Sequence, residues 1–425
     1  MKSVLDALPD VIMPDAVREA DAASIPLVRP DDHDLVRPLA EEELPSATRR
    51  GSLMGADTAP LSRHLVWTFG PSHRALPFPL QLRVELSGER VLTVDPEIGW
   101  SHQGLERMLE FGTVDEGFGL LARLHPTTPL VPQLLWAHLW ETILDVVDEV
   151  PARVCWLRVA GLELSRVVAH LDVLRALAEV YADRLAQQIF TDAHKACARA
   201  LWTLQGEANF CAVGGMRDAL DDSALTALED ELQAALVGVG QMHEQQLRNV
   251  AFVDGLGGRG VISIRNLLDH GVTGPALRAS GVRDDVRRRH PIFAYDALEP
   301  ALVTQQDSDA LSRATQRLQE LSDASRMVLQ ACHEARRADP SLGTLLDVDD
   351  KPLPPGRCAV SLEAPNGEMA FFVDVDANGK LRRTRLRTPS FALAQCLPHF
   401  LADAHLDDVV PILLGLGMVG TAIDC

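Results

Sequence analysis

The sequence predicts an α+β fold, in which a β hairpin leads into a bundle of long helices and a β meander follows. Residues 80–99 alternate apolar and polar side chains around a Ser87-Gly88 turn, which is typical of a hairpin. Four later stretches repeat apolar residues at helical spacing. Residues 354–391 then alternate again, with turn signals at 365–367 and 377–379.

The central part of the chain is predicted to be helical. The apolar spacing predicts long helices over 130–148, 154–190, 223–250 and 308–337, of which the second is strongly amphipathic. A helix with one apolar face must bury it against a neighbour, so these helices are expected to pack as a bundle. The Gly- and Arg-rich stretch 255–291 has no long period and predicts a structured loop region.

The chain divides into four predicted segments. Residues 1–62 are an acidic, Pro-rich arm, either a solvated disordered tail or a docking arm for a partner. A β-rich segment spans 63–110 and the helical bundle spans 111–344. The C-terminal β segment and tail occupy 345–425, and the apolar final residues predict a buried tail.

Composition excludes several classes of protein. The 425 residues include 60 acids and 40 bases, and a formal charge of −20 argues against nucleic-acid binding. No apolar run is long enough to predict a membrane-spanning helix. The seven cysteines have no CxxC spacing and the histidines form no HxH or HExxH motif, so we expect no metal site, no disulfide framework and a cytoplasmic location.

Two charged groups remain candidates for chemistry. Glu163, Arg166 and His170 follow one face of the second long helix, where they form either a structural ion pair or a group with a proton-relay or pocket role. An arginine run is either an anion site or a solvated, interface-facing cluster; its members are Arg283, Arg287, Arg288 and Arg289. The glycines between 255 and 260 lack GxGxxG spacing and a strand–helix frame, so nucleotide binding is not predicted there.

Eight collinear stretches carry a resemblance that covers the chain from about residue 66 to its end. They are FGPSH (69–73), LSGERV (86–91), DPEIGWSHQGLERMLE (95–110), RVAGLELSRVVAHL (158–171), GVTGPALRASGVRDDVRRRHP (271–291), EAPNGE (363–368), RTPSF (387–391) and DDVVPILLG (407–415). In order and spacing they resemble the subunit of respiratory complex I that is related to the nickel–iron hydrogenase large subunit. The resemblance implies a hydrogenase large-subunit-like fold.

The resemblance also implies a function. The chain would bind no cofactor itself, and it would pack on a small subunit that carries a 4Fe–4S cluster. Together they would form the headgroup cavity for quinone, with electrons arriving from NADH and membrane-arm subunits translocating protons. The chain would then lie peripherally on the cytoplasmic side of the plasma membrane, and Arg123 would face the partner's cluster.

The sequence departs from the family at the quinone site. The family's HPxxHG motif begins here with His73, but its quinone-binding histidine is Pro77. The RxDY motif keeps its arginine, but its last two residues are His125 and Pro126. Proline has no side-chain donor or acceptor. The resemblance therefore places His73, Pro77, Pro126 and Val419 at an altered quinone cavity.

Other positions suggest replacement proton carriers and argue against nickel–iron chemistry. A family histidine near the cluster is Glu207 here, so His125 and Glu207 are candidate replacement proton carriers. The four thiolate positions of nickel–iron hydrogenases fall on His125, Thr128, Val419 and Ala422, which excludes that metal chemistry. Further charged residues match the family's polar positions, with buried ion pairs as the expected use; they are Glu163, Arg166, His170, Arg278, Arg287, Arg313, Arg317, Glu320, Glu363, Glu368 and Arg387.

Three hypotheses follow. The first is a subunit of a complex-I-like NADH-quinone oxidoreductase that translocates protons. The second is a redox-silent structural subunit that joins a small subunit to an antiporter-like membrane arm in a hydrogenase- or antiporter-related complex. The third is a stand-alone protein that reuses the fold.

Overall fold

The structure is a computed structural model that describes residues 65–73, 76–208, 212–218, 220, 222–348 and 353–424. Within these ranges it combines helices with two antiparallel three-stranded sheets, so the predicted α+β class is confirmed. The predicted arm at 1–62 lies outside the described residues. No helix within the described ranges is both long and apolar enough to cross a membrane.

The first sheet contains the predicted hairpin and one additional strand. Strand β1 is Leu65–Phe69, β2 is Gln81–Ser87 and β3 is Arg90–Glu97, in the order β1-β2-β3. Alternate side chains of β2 point into the core, as the period of two predicts; they are Leu82, Val84 and Leu86. The sequence analysis missed β1, a short uncharged strand.

The helices follow in chain order. Before the bundle come α1 (Leu105–Phe111), α2 (Val114–Ala122) and α3 (Leu130–Ile143). The long helices are α4 (Ala152–Val180), α5 (Arg184–Ala208), α6 (Asp222–Gln246) and α11 (Ala310–Arg337). Short helices occupy the remaining stretches; they are α7 (Val250–Leu256), α8 (Ile264–Asp269), α9 (Pro275–Arg278), α10 (Val286–Arg289), α12 (Pro389–Gln395), α13 (Leu397–Phe400) and α14 (Val409–Leu416).

The prediction of one continuous helix over 154–190 was wrong. The helix ends at Val180, Ala182 adopts a left-handed φ of 53°, and a new helix begins at Arg184. Asp183 caps the new helix, because its Oδ1 accepts the backbone N–H of Ala186 at 3.0 Å. A capping side chain competes with helix continuation, so α4 and α5 fold into a pair of neighbours.

Helix α4 lies at the centre of the bundle and packs on α5 and α11. Twenty of its 29 residues are buried, so it is enclosed on most sides, and the prediction that it is strongly amphipathic was wrong. A helix buried nearly all round must satisfy its polar side chains internally. This position brings the charged residues of α4 into contact with distant parts of the chain.

The second sheet is the predicted meander. Strands β4 (Gly356–Ala364), β5 (Gly367–Val375) and β6 (Leu381–Arg387) pair in chain order. The tight turn before β5 lies against the segment that precedes α9. A Cβ atom on Gly274, which has φ +71°, would lie 2.4 Å from the Cα atom of Gly367. Only glycine therefore allows these two backbones to touch.

The segment 255–291 folds into short helices and is held against the bundle. Asp309, the N-cap of α11, accepts the backbone N–H of Gly258 at 2.7 Å. The predicted arginine cluster divides, because Arg283 and Arg288 are exposed whereas Arg287 is buried. Arg289 pairs with Asp284 at 2.9 Å. The run therefore does not form one solvated face.

Candidate functional site

A cavity of about 240 Å³ lies where the β1–β2 loop, α4 and the C-terminal tail meet. This volume is below the range of about 300–1,000 Å³ that is typical of drug-sized ligands, so the cavity suits one small headgroup. Its lining comes from the β1–β2 loop, the turn after α2, α4, the β4–β5 turn, α14 and the tail: Leu76, Pro77, Phe78, Thr127, Ala169, Asp172, Val173, Arg175, Ala176, Glu179, Asn366, Leu413, Leu414, Gly417, Met418 and Val419.

The tail forms one wall and packs directly on the β1–β2 loop. A Cβ atom on Gly420 would lie 2.4 Å from the Cβ atom of Phe78, so a larger residue would push the two segments apart. The hydroxyl of Thr421 donates to the Leu124 carbonyl at 2.7 Å, which ties the tail to the turn after α2. The hydroxyl of Thr388 donates to the Ala422 carbonyl.

Asp424 fixes the end of the tail. Its two carboxylate oxygens accept the backbone N–H groups of Gly99 at 2.6 Å and Ser101 at 2.7 Å. Its own carbonyl oxygen lies 2.8 Å from Nδ1 of His102. A charged acceptor that binds two backbone donors is a strong restraint. The cavity wall is thus anchored from both sides, and the prediction that the tail is buried holds.

The predicted quinone-cavity residues occupy different places. Pro77 and Val419 line the cavity. His73 does not line it, and its ring stacks on Phe69 with centroids 4.0 Å apart. Pro126 is exposed and is not a lining residue, whereas the neighbouring Thr127 is. The structure therefore brings together two of the four predicted positions in this cavity.

Of the two predicted proton carriers, His125 is described by the structure and does not line the cavity. His125 is 1% exposed, and its Nδ1 lies 3.4 Å from the hydroxyl of Thr128. Burial lowers the pKa of His125 to about 4, so the imidazole is neutral near neutral pH. The side chain of Glu207 lies outside the described residues. Arg123 is exposed at the end of α2, where a partner could reach it.

Glu163 is the centre of a buried charge cluster. Nε of Arg166 donates to it at 3.1 Å, Nη1 of Arg287 donates at 3.1 Å, and the hydroxyl of Tyr295 donates at 2.5 Å. Asp285 accepts the second arm of Arg287 at 2.6 Å. Burial by itself raises the pKa of the Glu163 carboxyl, but Arg166 and Arg287 outweigh burial and hold it below its ordinary value.

His170 belongs to a second buried cluster. Its Nδ1 accepts a hydrogen bond from Arg317 at 3.1 Å, so the proton of the neutral ring lies on Nε2, which donates to Glu320 at 3.0 Å. Burial lowers the pKa of His170 to about 4. Arg278 lies beyond, with Nε 2.8 Å from Glu320 and Nη1 2.8 Å from Glu363. The Glu163 cluster contributes no lining residue, whereas the second cluster reaches the cavity wall, because Nη1 of Arg317 also donates at 2.9 Å to Oδ1 of Asn366, a lining residue.

Sequence reasoning missed the charged side of the cavity. Asp172, Arg175 and Glu179 line it from α4, at spacings of three and four residues that place them on one helix face. The sequence did contain a signal for this charged face, because the three charges recur at helical spacing in a stretch that is otherwise apolar. Which face of α4 meets the tail cannot be read from that spacing, because the tail lies more than 200 residues away in sequence.

Other depressions contain none of the predicted site residues. One of about 510 Å³ lies on the polar surface around Arg259 and His405, and one of about 370 Å³ lies between Phe111 and Lys380. The second is bounded by Val348 and Leu353, which flank residues that the structure does not describe. Volume alone does not identify a site, and the smaller cavity is the one that Pro77 and Val419, two predicted site residues, both line. Among the described residues, no group of three or more His, Cys, Asp or Glu side chains could hold a metal ion.

Comparison with known proteins agrees with the resemblance that the eight sequence motifs indicate. The family model described as "Respiratory-chain NADH dehydrogenase, 49 Kd subunit" matches residues 199–344 and 344–425, more than half of the chain. An NADH-quinone oxidoreductase subunit of Sorangium cellulosum is 30% identical over 399 residues, which cover 85% of this chain and 96% of that protein. A similarly named protein of Rhizobium meliloti is 29% identical with the same coverages. Another, from Myxococcus xanthus, is 27% identical over 85% of this chain and 93% of its own length.

Proposed function

The chain belongs to the family of the 49 kDa subunit of respiratory-chain NADH dehydrogenase, and from this membership we propose that it serves as that subunit in a membrane-associated NADH-quinone oxidoreductase. The observation that carries the proposal is the cavity between the β1–β2 loop, α4 and the tail, because it is lined by two of the positions that the family resemblance assigns to the quinone cavity, Pro77 and Val419. The ligand proposed for this cavity is the headgroup of a quinone.

The cavity has the two-sided chemistry that a quinone ring requires. Leu76, Phe78 and Met418 supply apolar surface for the ring, while charged α4 side chains supply hydrogen-bonding groups for its oxygens. Reduction adds two electrons and two protons, which converts each carbonyl oxygen to a hydroxyl. The chain holds no electron carrier in this proposal, so the electrons come from a 4Fe–4S cluster in a small-subunit partner.

The partner is proposed to bind the side of the molecule that carries Arg123. This arginine is exposed, and a cation beside an iron–sulfur cluster raises its reduction potential by stabilising the added electron. Membrane-arm subunits would complete the assembly and translocate protons. The proposed location is peripheral, on the cytoplasmic face of the plasma membrane.

A second candidate function is a redox-silent structural subunit, and one observation favours it. Pro77 occupies the cavity position at which the family resemblance expects a histidine, and proline cannot donate a hydrogen bond from its side chain. In that case the buried clusters around Glu163 and Glu320 would hold the scaffold, and the cavity would be without substrate.

Affinity purification from the source membranes tests both candidates. We expect an iron–sulfur small subunit and antiporter-like membrane subunits to co-purify with the tagged chain, and the assembly to oxidise NADH with a quinone as acceptor. An assembly that forms but leaves quinone unreduced supports the structural subunit. Recovery of the chain alone in the soluble fraction contradicts both assignments.

A further inference from the structure

Three charged side chains on α4 face the cavity, and neither buried cluster uses them. Asp172, Arg175 and Glu179 line the cavity together, opposite the apolar surface of Phe78 and Met418. The side chains of Asp172 and Arg175 are 33% and 35% exposed, so they are accessible to a ligand. Charged side chains on the wall of a headgroup cavity need a function, because they lose solvation when a ring displaces water.

Arg175 retains hydrogen-bonding capacity towards a ligand. Its Nη2 donates to Oδ1 of Asp172, its Nε–H is buried out of reach of a ligand, and 35% of the side chain is exposed. A guanidinium has five N–H donors in a rigid planar arrangement. A ring carbonyl oxygen in the cavity is an acceptor that this group can bind while Asp172 fixes its orientation.

His194 on α5 connects the pair to a second helix. Its Nε2 lies 3.8 Å from Oδ1 of Asp172 and has no hydrogen-bond partner among the residues described. That distance is too long for a hydrogen bond, but a small side-chain rotation would close it. The side chain is 21% exposed, so it also reaches solvent. Burial lowers the pKa of His194, Asp172 opposes that shift and Arg175 adds to it.

We propose that Arg175, Asp172 and His194 form the acceptor site of this chain, in place of the family's histidine and tyrosine. Arg175 donates a hydrogen bond to one carbonyl oxygen of the quinone. Once two electrons have arrived from the partner's iron–sulfur donor, His194 passes a proton taken from solvent through the Asp172 carboxylate to that oxygen. The other oxygen takes its proton from water at the cavity mouth, so two electrons and two protons yield the quinol. This inference rests on the proposed function.

Substitutions separate binding from proton transfer in the purified assembly. Arg175→Gln removes a charge-assisted hydrogen bond and is expected to raise KM for quinone about tenfold with a smaller change in kcat. Asp172→Asn keeps the size but cannot pass a proton, and is expected to lower kcat about a hundredfold. His194→Gln is expected to lower kcat and to change its pH profile, and added imidazole should restore part of the rate.

Controls distinguish this inference from the proposed function. Arg326 is half-exposed on α11 and pairs with Asp323 at the same three-residue spacing. Arg326→Gln breaks that pair away from the cavity and should leave KM and kcat unchanged. Reduction of ferricyanide by NADH, which needs no quinone site, should be unchanged in every variant. If the unsubstituted assembly does not reduce quinone, the proposed function fails.

If the unsubstituted assembly reduces quinone and both Arg175→Gln and Asp172→Asn retain its kinetics, the acceptor-site inference fails alone. Where Arg175→Gln prevents assembly, Arg175→Lys replaces it. Lysine keeps the charge but loses the planar donor arrangement, so an intermediate rise in KM is expected. An unchanged KM in that variant overturns the inference.

Discussion

At the scale of single residues, burial determines the protonation of three histidines. The pKa values of His125, His138 and His170 are each lowered to about 4, in every case chiefly by burial. In an unfolded chain an imidazole has a pKa of about 6.5. Between these values the unfolded state binds protons that the folded state does not, so stability falls as the pH drops from about 6.5 towards about 4.

This linkage predicts the effect of removing one of these histidines. His138→Leu removes one group that takes up a proton on unfolding. The free energy of unfolding should therefore fall less steeply with falling pH, by about 1.4 kcal/mol per pH unit. The measurement is the free energy of unfolding by denaturant at several values between about pH 7 and about pH 5. The buried, non-titrating control Val154→Ala should lower stability equally at each pH. A slope identical to that of the unsubstituted chain contradicts the prediction.

At the scale of elements, α1 covers the outer edge of the second sheet. Strand β6 is an edge strand, and its outward N–H groups bind carboxylates of α1: Thr384 donates to Glu110 at 2.9 Å and Leu386 donates to Glu106 at 2.9 Å. Exposed strand edges are templates for intermolecular pairing. Two glutamates on one short helix therefore protect this edge.

Removing both carboxylates should expose the edge. We expect Glu106→Ala combined with Glu110→Ala to lower the thermal midpoint and increase aggregation on heating, because two backbone donors lose their partners. Light scattering during a thermal ramp is the measurement. The control Glu244→Ala removes an exposed carboxylate on α6 and should behave as the unsubstituted chain. Equal scattering from the double variant and the control would exclude this function of α1.

Element prediction succeeded where the signal is local. The hairpin turn at Ser87-Gly88, the meander turns and the helical periods depend on neighbouring residues, and the elements lie close to their predicted positions. The break between α4 and α5 was missed because Asp183 is fixed by contacts outside its own segment. Its Oδ2 accepts Gln246 at 2.8 Å and Asn249 at 2.7 Å.

At the scale of the whole molecule, Arg278 joins segments that are distant in sequence. Its guanidinium bonds to Glu320 on α11 and Glu363 on β4, and it lies 3.6 Å from Asp285 in the loop before α10. All four side chains are nearly fully buried. Burial makes such pairs costly to break, because each remaining charge is left without solvent.

Arg278→Met should therefore destabilise the fold by about 3–5 kcal/mol. The exposed pair of Arg248 and Glu244 provides the comparison, for which Arg248→Met should cost about 0–1 kcal/mol. Denaturant unfolding of both variants gives the two values. Similar losses in the two variants would mean that the buried cluster contributes no more than a surface pair.

The sequence by itself determined the class of the fold, the hairpin, the meander, the long helices α6 and α11, the buried tail and the family. Each of these depends on periodicity, turn chemistry or collinear motifs, which are properties of a chain read in order. Charges at 163, 166 and 170 could also be placed on one helix face from spacing alone.

Only the tertiary structure decided which charged residues of α4 form buried ion pairs and which line the cavity. Glu163 finds Arg287, whereas Asp172, a few residues later on α4, faces the β1–β2 loop and the tail. The same packing leaves His125 buried and brings Val419 and Pro77 to the same cavity. The physical reason is that a side chain's solvation and partners are set by segments hundreds of residues away, whose approach no local period encodes.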